Sequence, residues 1–116
     1  MGSYDCVYIT SIRSINAQTA DGRTPLFIAS GKGHVAVVSA LLASPGVDAN
    51  AAATGGFTPL HIASQEGHAA VVSLLLAHPS VNVNPRTVKG STPLAIARGN
   101  GHSAVAALLE ARGGIE

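Results

Sequence analysis

The sequence predicts an all-α fold, a solenoid of short helix-turn-helix units stacked in one dimension and joined by β-turn loops. Three observations carry this expectation. Thr-Pro-Leu occurs at Thr24, Thr58 and Thr92, in steps of 34 residues. Gly-His recurs at Gly33-His34, Gly67-His68 and Gly101-His102 with the same step of 34. Asn16, Asn50 and Asn84 each stand eight residues before their Thr. Three independent markers on one period define a repeating unit. One such unit cannot bury its apolar face alone, whereas stacked units can.

Each element of the unit follows from its residues. Gly22, Gly56 and Gly90 sit two residues before each Thr, where a tight turn needs positive φ or close backbone approach. Thr24, Thr58 and Thr92 are N-cap residues, since a hydroxyl accepts from an unpaired backbone N–H. Pro25, Pro59 and Pro93 take the first helical position, where a missing N–H costs nothing. A short helix is expected from Pro59 to about Glu66, with Gly67 ending it. A second helix starts near His68. Val71, Val72, Leu74, Leu75 and Leu76 make it apolar on most sides, so it is buried. Pro79 stops it, and an extended stretch from Val81 to Arg86 leads to the next turn. Ala29, Ala63 and Ala97 recur at the same spacing and allow close approach of neighbouring helices.

These residues resemble the ankyrin repeat, a unit of about 33 residues with a T-P-L-H-x-A core. The second copy matches almost throughout: Gly56-Phe57-Thr58-Pro59-Leu60-His61-Ile62-Ala63, then Gly67-His68, Val71-Val72, Leu74-Leu75-Leu76 and Val81-Asn82-Val83-Asn84. The first copy has Phe27 and the third Ala95 where His61 stands. The period is one residue longer than the family's, with the extra residue near Pro45 and Pro79, a tolerated loop insertion. The resemblance implies an ankyrin-like solenoid of three repeats, at residues 19–52, 53–86 and 87–116. The third has Glu110 in the place of Leu76, which suits a C-terminal cap facing solvent. Residues 1–18 are expected to hold a cloning remnant, Met1-Gly2-Ser3, and an irregular cap. Val7, Tyr8, Ile9, Thr10 and Ile12 are β-branched or aromatic, which favours extended backbone over helix. That segment is either a remnant cap or the point where a longer array was cut.

Composition narrows the function. The formal charge of +1 and the 11% of charged residues give no strong pull on nucleic acid or membrane. With 3% aromatics and no Trp, stacking platforms for single-stranded nucleic acid are not expected. Cys6 is the single cysteine, which excludes an internal disulfide framework and fits an intracellular, reducing compartment. No apolar run is long enough to cross a membrane, and the start lacks a signal peptide's charged and apolar regions. The opening Met-Gly lacks the Ser or Thr that myristoylation wants, having Cys6 instead.

The densest cluster of reactive side chains runs from Gly56 to His68. His61, Ser64 and Glu66 supply the residue types of a hydrolase triad. Ser64 lies three residues from His61 and on its face, but Glu66 lies five away and points elsewhere. No nucleophile elbow, phosphate loop or zinc-protease pattern occurs, so no enzyme and no cofactor are expected. His34, His68 and His102 suggest a metal set. Equivalent atoms in units stacked about 10 Å apart cannot share an ion that needs ligands at about 2 Å. Each His is instead expected to cap or orient its own turn. The resemblance implies that His61 hydrogen-bonds within the turn network between units. It also implies Asn84, in the best-matching copy, as a site for an asparaginyl hydroxylase.

The resemblance further implies protein or peptide binding on a concave face made of turn tips and first helices. By register, the first unit contributes Gln18, Ala20, Asp21, Arg23 and Lys32. The second contributes Ala52, Thr54, Phe57, Gln65 and Glu66, and the third Arg86, Val88, Lys89, Ser91 and Asn100. Phe57 is either an exposed anchor at the centre of this face or a residue packed on the next turn. Arg23, Lys32, Arg86 and Lys89 outnumber Asp21 and Glu66, mildly favouring an acidic or neutral partner over a basic one. A monomer is favoured, with dimerisation through the N-terminal segment left open. The alternative to an interaction module is a truncated or engineered repeat scaffold with no partner of its own.

Overall fold

The structure, a computed structural model, describes residues 15–116. The expected N-terminal remnant, Cys6 and the β-branched stretch before Ile15 lie outside the described residues. Three helix pairs follow one another: α1 (Pro25–Lys32) and α2 (Val35–Ala43), α3 (Pro59–Glu66) and α4 (Ala69–Ala77), α5 (Pro93–Gly99) and α6 (Ser103–Ala111). The first helices α1, α3 and α5 pack side by side as one layer, and α2, α4 and α6 form the second.

The start of each first helix is built as its sequence requires. The Thr24, Thr58 and Thr92 hydroxyls accept from the backbone N–H three residues on, and the proline follows at the first helical position. Gly33 and Gly67 terminate α1 and α3 in the left-handed conformation, at φ 72° and 75°. The third unit differs. α5 ends one turn position earlier, on Asn100, whose side-chain amide donates to the Ile96 carbonyl at 2.9 Å.

The core is a set of columns running through all three units. Leu26, Leu60 and Leu94 form one, and Leu41, Leu75 and Leu109 another, each residue at most 2% exposed. Val38, Val72 and Ala106 form a third, thinned at its last member. Ala29, Ala63 and Ala97 are buried where the first helices meet, as close helix packing requires. The second helices have no continuous polar face, which is why α4 buries Val71, Val72, Leu75 and Leu76.

The loops between units carry a ladder of asparagines. Asn16 donates to Gly46 O (2.7 Å) and accepts from the Asp48 N–H (2.8 Å). Asn50 repeats this with Ser80 O (2.7 Å) and Asn82 N (2.8 Å). Asn84 repeats it with Gly113 O (3.2 Å) and Ile115 N (2.9 Å). Each amide therefore ties its own loop to the next one.

Candidate functional site

Three tight turns line up along one edge of the stack. In each, a backbone N–H closes onto the carbonyl four residues ahead: Thr19 to Arg23 (3.0 Å), Ala53 to Phe57 (2.7 Å) and Thr87 to Ser91 (2.9 Å). Successive turns are bonded to one another. The Thr54 N–H and hydroxyl both donate to Asp21 O at 2.8 Å, and Val88 N donates to Gly55 O at 2.9 Å. This approach depends on glycine. A Cβ on Gly22 would lie 3.3 Å from Ala53 Cα, and one on Gly56 would lie 3.1 Å from Val88 N. Both glycines also hold positive φ.

Between the first two turns and helices α1 and α3 lies an open groove of about 610 Å³. Phe27, Ile28, Phe57 and Ile62 supply its apolar surface. Asp21, Arg23 and Lys32 border it from the first unit, and Thr54, Gln65 and Glu66 from the second. Asp21 and Arg23 form a loose ion pair at 3.9 Å. The Arg23 guanidinium lies 6.0 Å from the Phe27 ring centroid, at the limit of cation–π attraction. Seven of the partner residues expected from register thus meet in one depression: Asp21, Arg23, Lys32, Thr54, Phe57, Gln65 and Glu66.

Phe57 lines this groove from the second turn, packed on a residue of its own unit and not on the next turn. It is half-buried, its ring tilted on that of His61 at 5.5 Å between centroids. Sequence reasoning missed Phe27, Ile28 and Ile62. The signal was there in part, because Ile28 and Ile62 share one slot a period apart. Phe27 occupies the His61 slot, for which the resemblance implies turn-network hydrogen bonding rather than a surface.

His61 is fully buried and joins two units. Its Nδ1 accepts from the Thr58 N–H at 3.0 Å, and its Nε2 meets Ser91 O at 3.0 Å. The Thr58 amide can only donate, so Nδ1 is unprotonated and Nε2 carries the proton it gives to Ser91. Burial holds the imidazole below its usual pKa, offset in part by the carbonyls of Ser91 and Pro85. Ser64 and Glu66 do not complete a triad around it. The Ser64 hydroxyl is buried without a hydrogen-bond partner, and Glu66 is exposed.

The repeated Gly-His pairs correct one expectation. His34, His68 and His102 occupy N-cap positions, but none caps its helix with its side chain. His68 Nε2 instead meets Gly31 O at 3.1 Å, and His102 Nε2 meets Gln65 O at 2.9 Å, both in the preceding unit. Their rings lie against Gly33 and Gly67, where a Cβ would come within 2.8 and 2.7 Å. The Gly of one unit is therefore matched to the His of the next. Among the described residues, no three His, Cys, Asp or Glu side chains gather around a common point.

The remaining expected residues lie outside the groove. Gln18 is exposed and bonds Gly22 O at 3.2 Å within its own turn. Arg86 spans its turn to Gly90 O at 3.0 Å. Ser91 is engaged by His61 and by Thr87, and Asn100 by α5. Val88, 80% exposed, and Lys89 stand at the tip of the third turn. Both functional groups of the Asn84 amide are used in the loop ladder. Arg98 went unnoticed in the sequence. It pairs with both Glu110 and Glu116.

A family model of ankyrin repeats in three copies matches residues 2–87 and 45–116. No curated protein matches the chain.

Proposed function

Because the chain belongs to the ankyrin repeat family, whose repeats are generally protein–protein interaction modules, we propose that it binds a partner protein or peptide on the concave face. The groove between the first and second units is the centre of that site. The observation that supports this reading most is the make-up of the groove. Its apolar surface is bordered by positions that vary between copies, while the packing slots of Leu26, Ala29 and Leu41 stay constant. Concave, largely apolar clefts with a few polar groups are where ligands bind. Half-buried aromatic residues at the centre of such faces dominate binding energy. Asp21, Arg23, Lys32, Thr54, Phe57, Gln65 and Glu66 are assigned to the contact, with Gln18, Arg86, Val88, Lys89, Ser91 and Asn100 at its margin. The groove itself carries two cations and two anions, so a preference for an acidic partner would come from Arg86 and Lys89 on the third turn.

The test is affinity capture of a partner, followed by titration against Phe57→Ala and Arg86→Ala. Loss of Phe57 should weaken binding by about tenfold or more. Loss of Arg86 should mainly slow association at low salt. Unchanged affinity in both variants overturns the assignment of the face.

A further inference from the structure

The groove brings together the chain's only two phenylalanines, Phe27 and Phe57. They come from different slots of the unit. Phe27 stands in the helix where the second unit has His61, and Phe57 stands in the turn where the first unit has Arg23. Stacking alone brings them to one groove. With Ile62, they supply apolar lining to the groove: Phe27 is 8% exposed, and Phe57 and Ile62 are half-buried. The volume of about 610 Å³ holds several residues of a peptide rather than one side chain.

The charges around this patch are not equivalent. Asp21 and Arg23 offset each other within the first turn. Lys32 and Glu66 are exposed and, among the described residues, neither has an oppositely charged partner within ion-pair distance. They occupy the same slot in consecutive units, so about 10 Å, one helix-packing layer, separates them. An extended chain advances about 3.3 Å per residue, and three or four residues bridge that span. Uniformly acidic or basic ligands would satisfy one of these charges and oppose the other.

We infer that the groove takes an extended peptide segment with an apolar anchor side chain bracketed by an acidic and a basic residue. The anchor seats between Phe27, Phe57 and Ile62, the acidic residue meets Lys32, and the basic residue meets Glu66. This rests on the concave-face reading proposed above and adds the chemistry of the partner.

The probe is a phage-displayed library of random linear peptides, selected on the purified full chain and, in parallel, on Phe57→Ala, Lys32→Glu and Glu66→Lys. The expected consensus on the unaltered protein has one apolar position flanked by opposite charges within about four residues. Peptides synthesised to that consensus should bind Phe57→Ala at least about tenfold more weakly, a loss of about 1.4 kcal/mol. The two charge variants lie at exposed positions and leave the fold intact. Lys32→Glu should shift the consensus to two basic flanks, and Glu66→Lys to two acidic ones. A consensus of a single charge sign on the unaltered protein, or one that neither charge variant moves, overturns the inference while the groove remains the site. No enrichment, or enrichment that survives Phe57→Ala at full strength, overturns both the inference and the reading beneath it.

Discussion

Buried side chains with one polar atom too many, or too little room, decide stability residue by residue. Ser30 and Ser64 are fully buried, and their hydroxyls have no partner. An unpaired buried hydroxyl costs about 1–3 kcal/mol of desolvation, so removing it is neutral or favourable. Ser64→Ala should raise stability by up to about 1 kcal/mol, read as a higher urea midpoint at constant slope. A lower midpoint would show that the hydroxyl is satisfied. Gly67 and Gly101 both have φ +75°, but only Gly67 has the next unit's His ring against it. Alanine at either position meets the left-handed penalty of about 1–2 kcal/mol. Gly67→Ala should cost at least about 1 kcal/mol more than Gly101→Ala, because a packed neighbour must also move. Equal costs would mean that the His102 ring yields freely. His61 adds a pH dependence. Its folded pKa is depressed by burial, so below about pH 6.5 the unfolded chain binds a proton that the folded one resists. Stability should therefore be full above pH 6.5 and fall as the pH drops through the window down to the folded value. His61→Phe, a ring the same slot accepts at Phe27, should remove that component from a pH series of denaturation curves.

Among the elements, the loops matter as much as the helices. Asn50 is exposed, yet its amide makes two bonds that couple successive loops, to Ser80 O and Asn82 N. At about 1 kcal/mol for a typical net hydrogen bond, Asn50→Ala should destabilise the protein by about 1–2 kcal/mol. Asn82→Ala is the control, since its side chain bonds only within its own loop, to Asn84 N. Guanidinium denaturation of both variants distinguishes the cases, and equal losses would refute the ladder's role in coupling units. This part was only half legible. Asn16, Asn50 and Asn84 announce themselves by their spacing, and loop hydrogen bonding was the evident role. That each one reaches into the following loop could not be read from the chain, since its partners are backbone groups about one period away. The same holds for His68 and His102. Their position before a helix suggests a cap, but their rings point back to carbonyls of the preceding unit.

For the whole molecule, the core columns run unbroken from Leu26 through Leu60 to Leu94 and from Leu41 through Leu75 to Leu109. Repeat arrays of this kind draw stability from each unit and from each interface. Three units sharing one core should unfold in a single transition whose midpoint is independent of protein concentration. Two resolved transitions by circular dichroism and calorimetry would show that a terminal unit comes away alone. Along the second-helix layer, no helix among the described residues is long and apolar enough to cross a membrane. The opposite edge of the stack, with its turns and groove, is where the chain departs from its own repetition.

The period, the helix starts, most of the stops, the buried second helices and the family resemblance are legible along the chain. All of these rest on local chemistry: a threonine cap, a proline at the first turn, a glycine with positive φ, an apolar pattern seen three times. Which residues line the groove emerges only from the stacking of the units. Phe27 and Phe57 lie 30 residues apart and in different slots, so no periodic pattern links them. They line one groove because stacking sets a helix of one unit beside a turn of the next. Likewise, the charges of Arg86 and Lys89 counted toward one face in the sequence, but the third turn carries them away from the groove. A repeat makes its own packing visible in one dimension. A surface built between repeats depends on the residues the repeat leaves free, and their neighbours are settled only when the units stack.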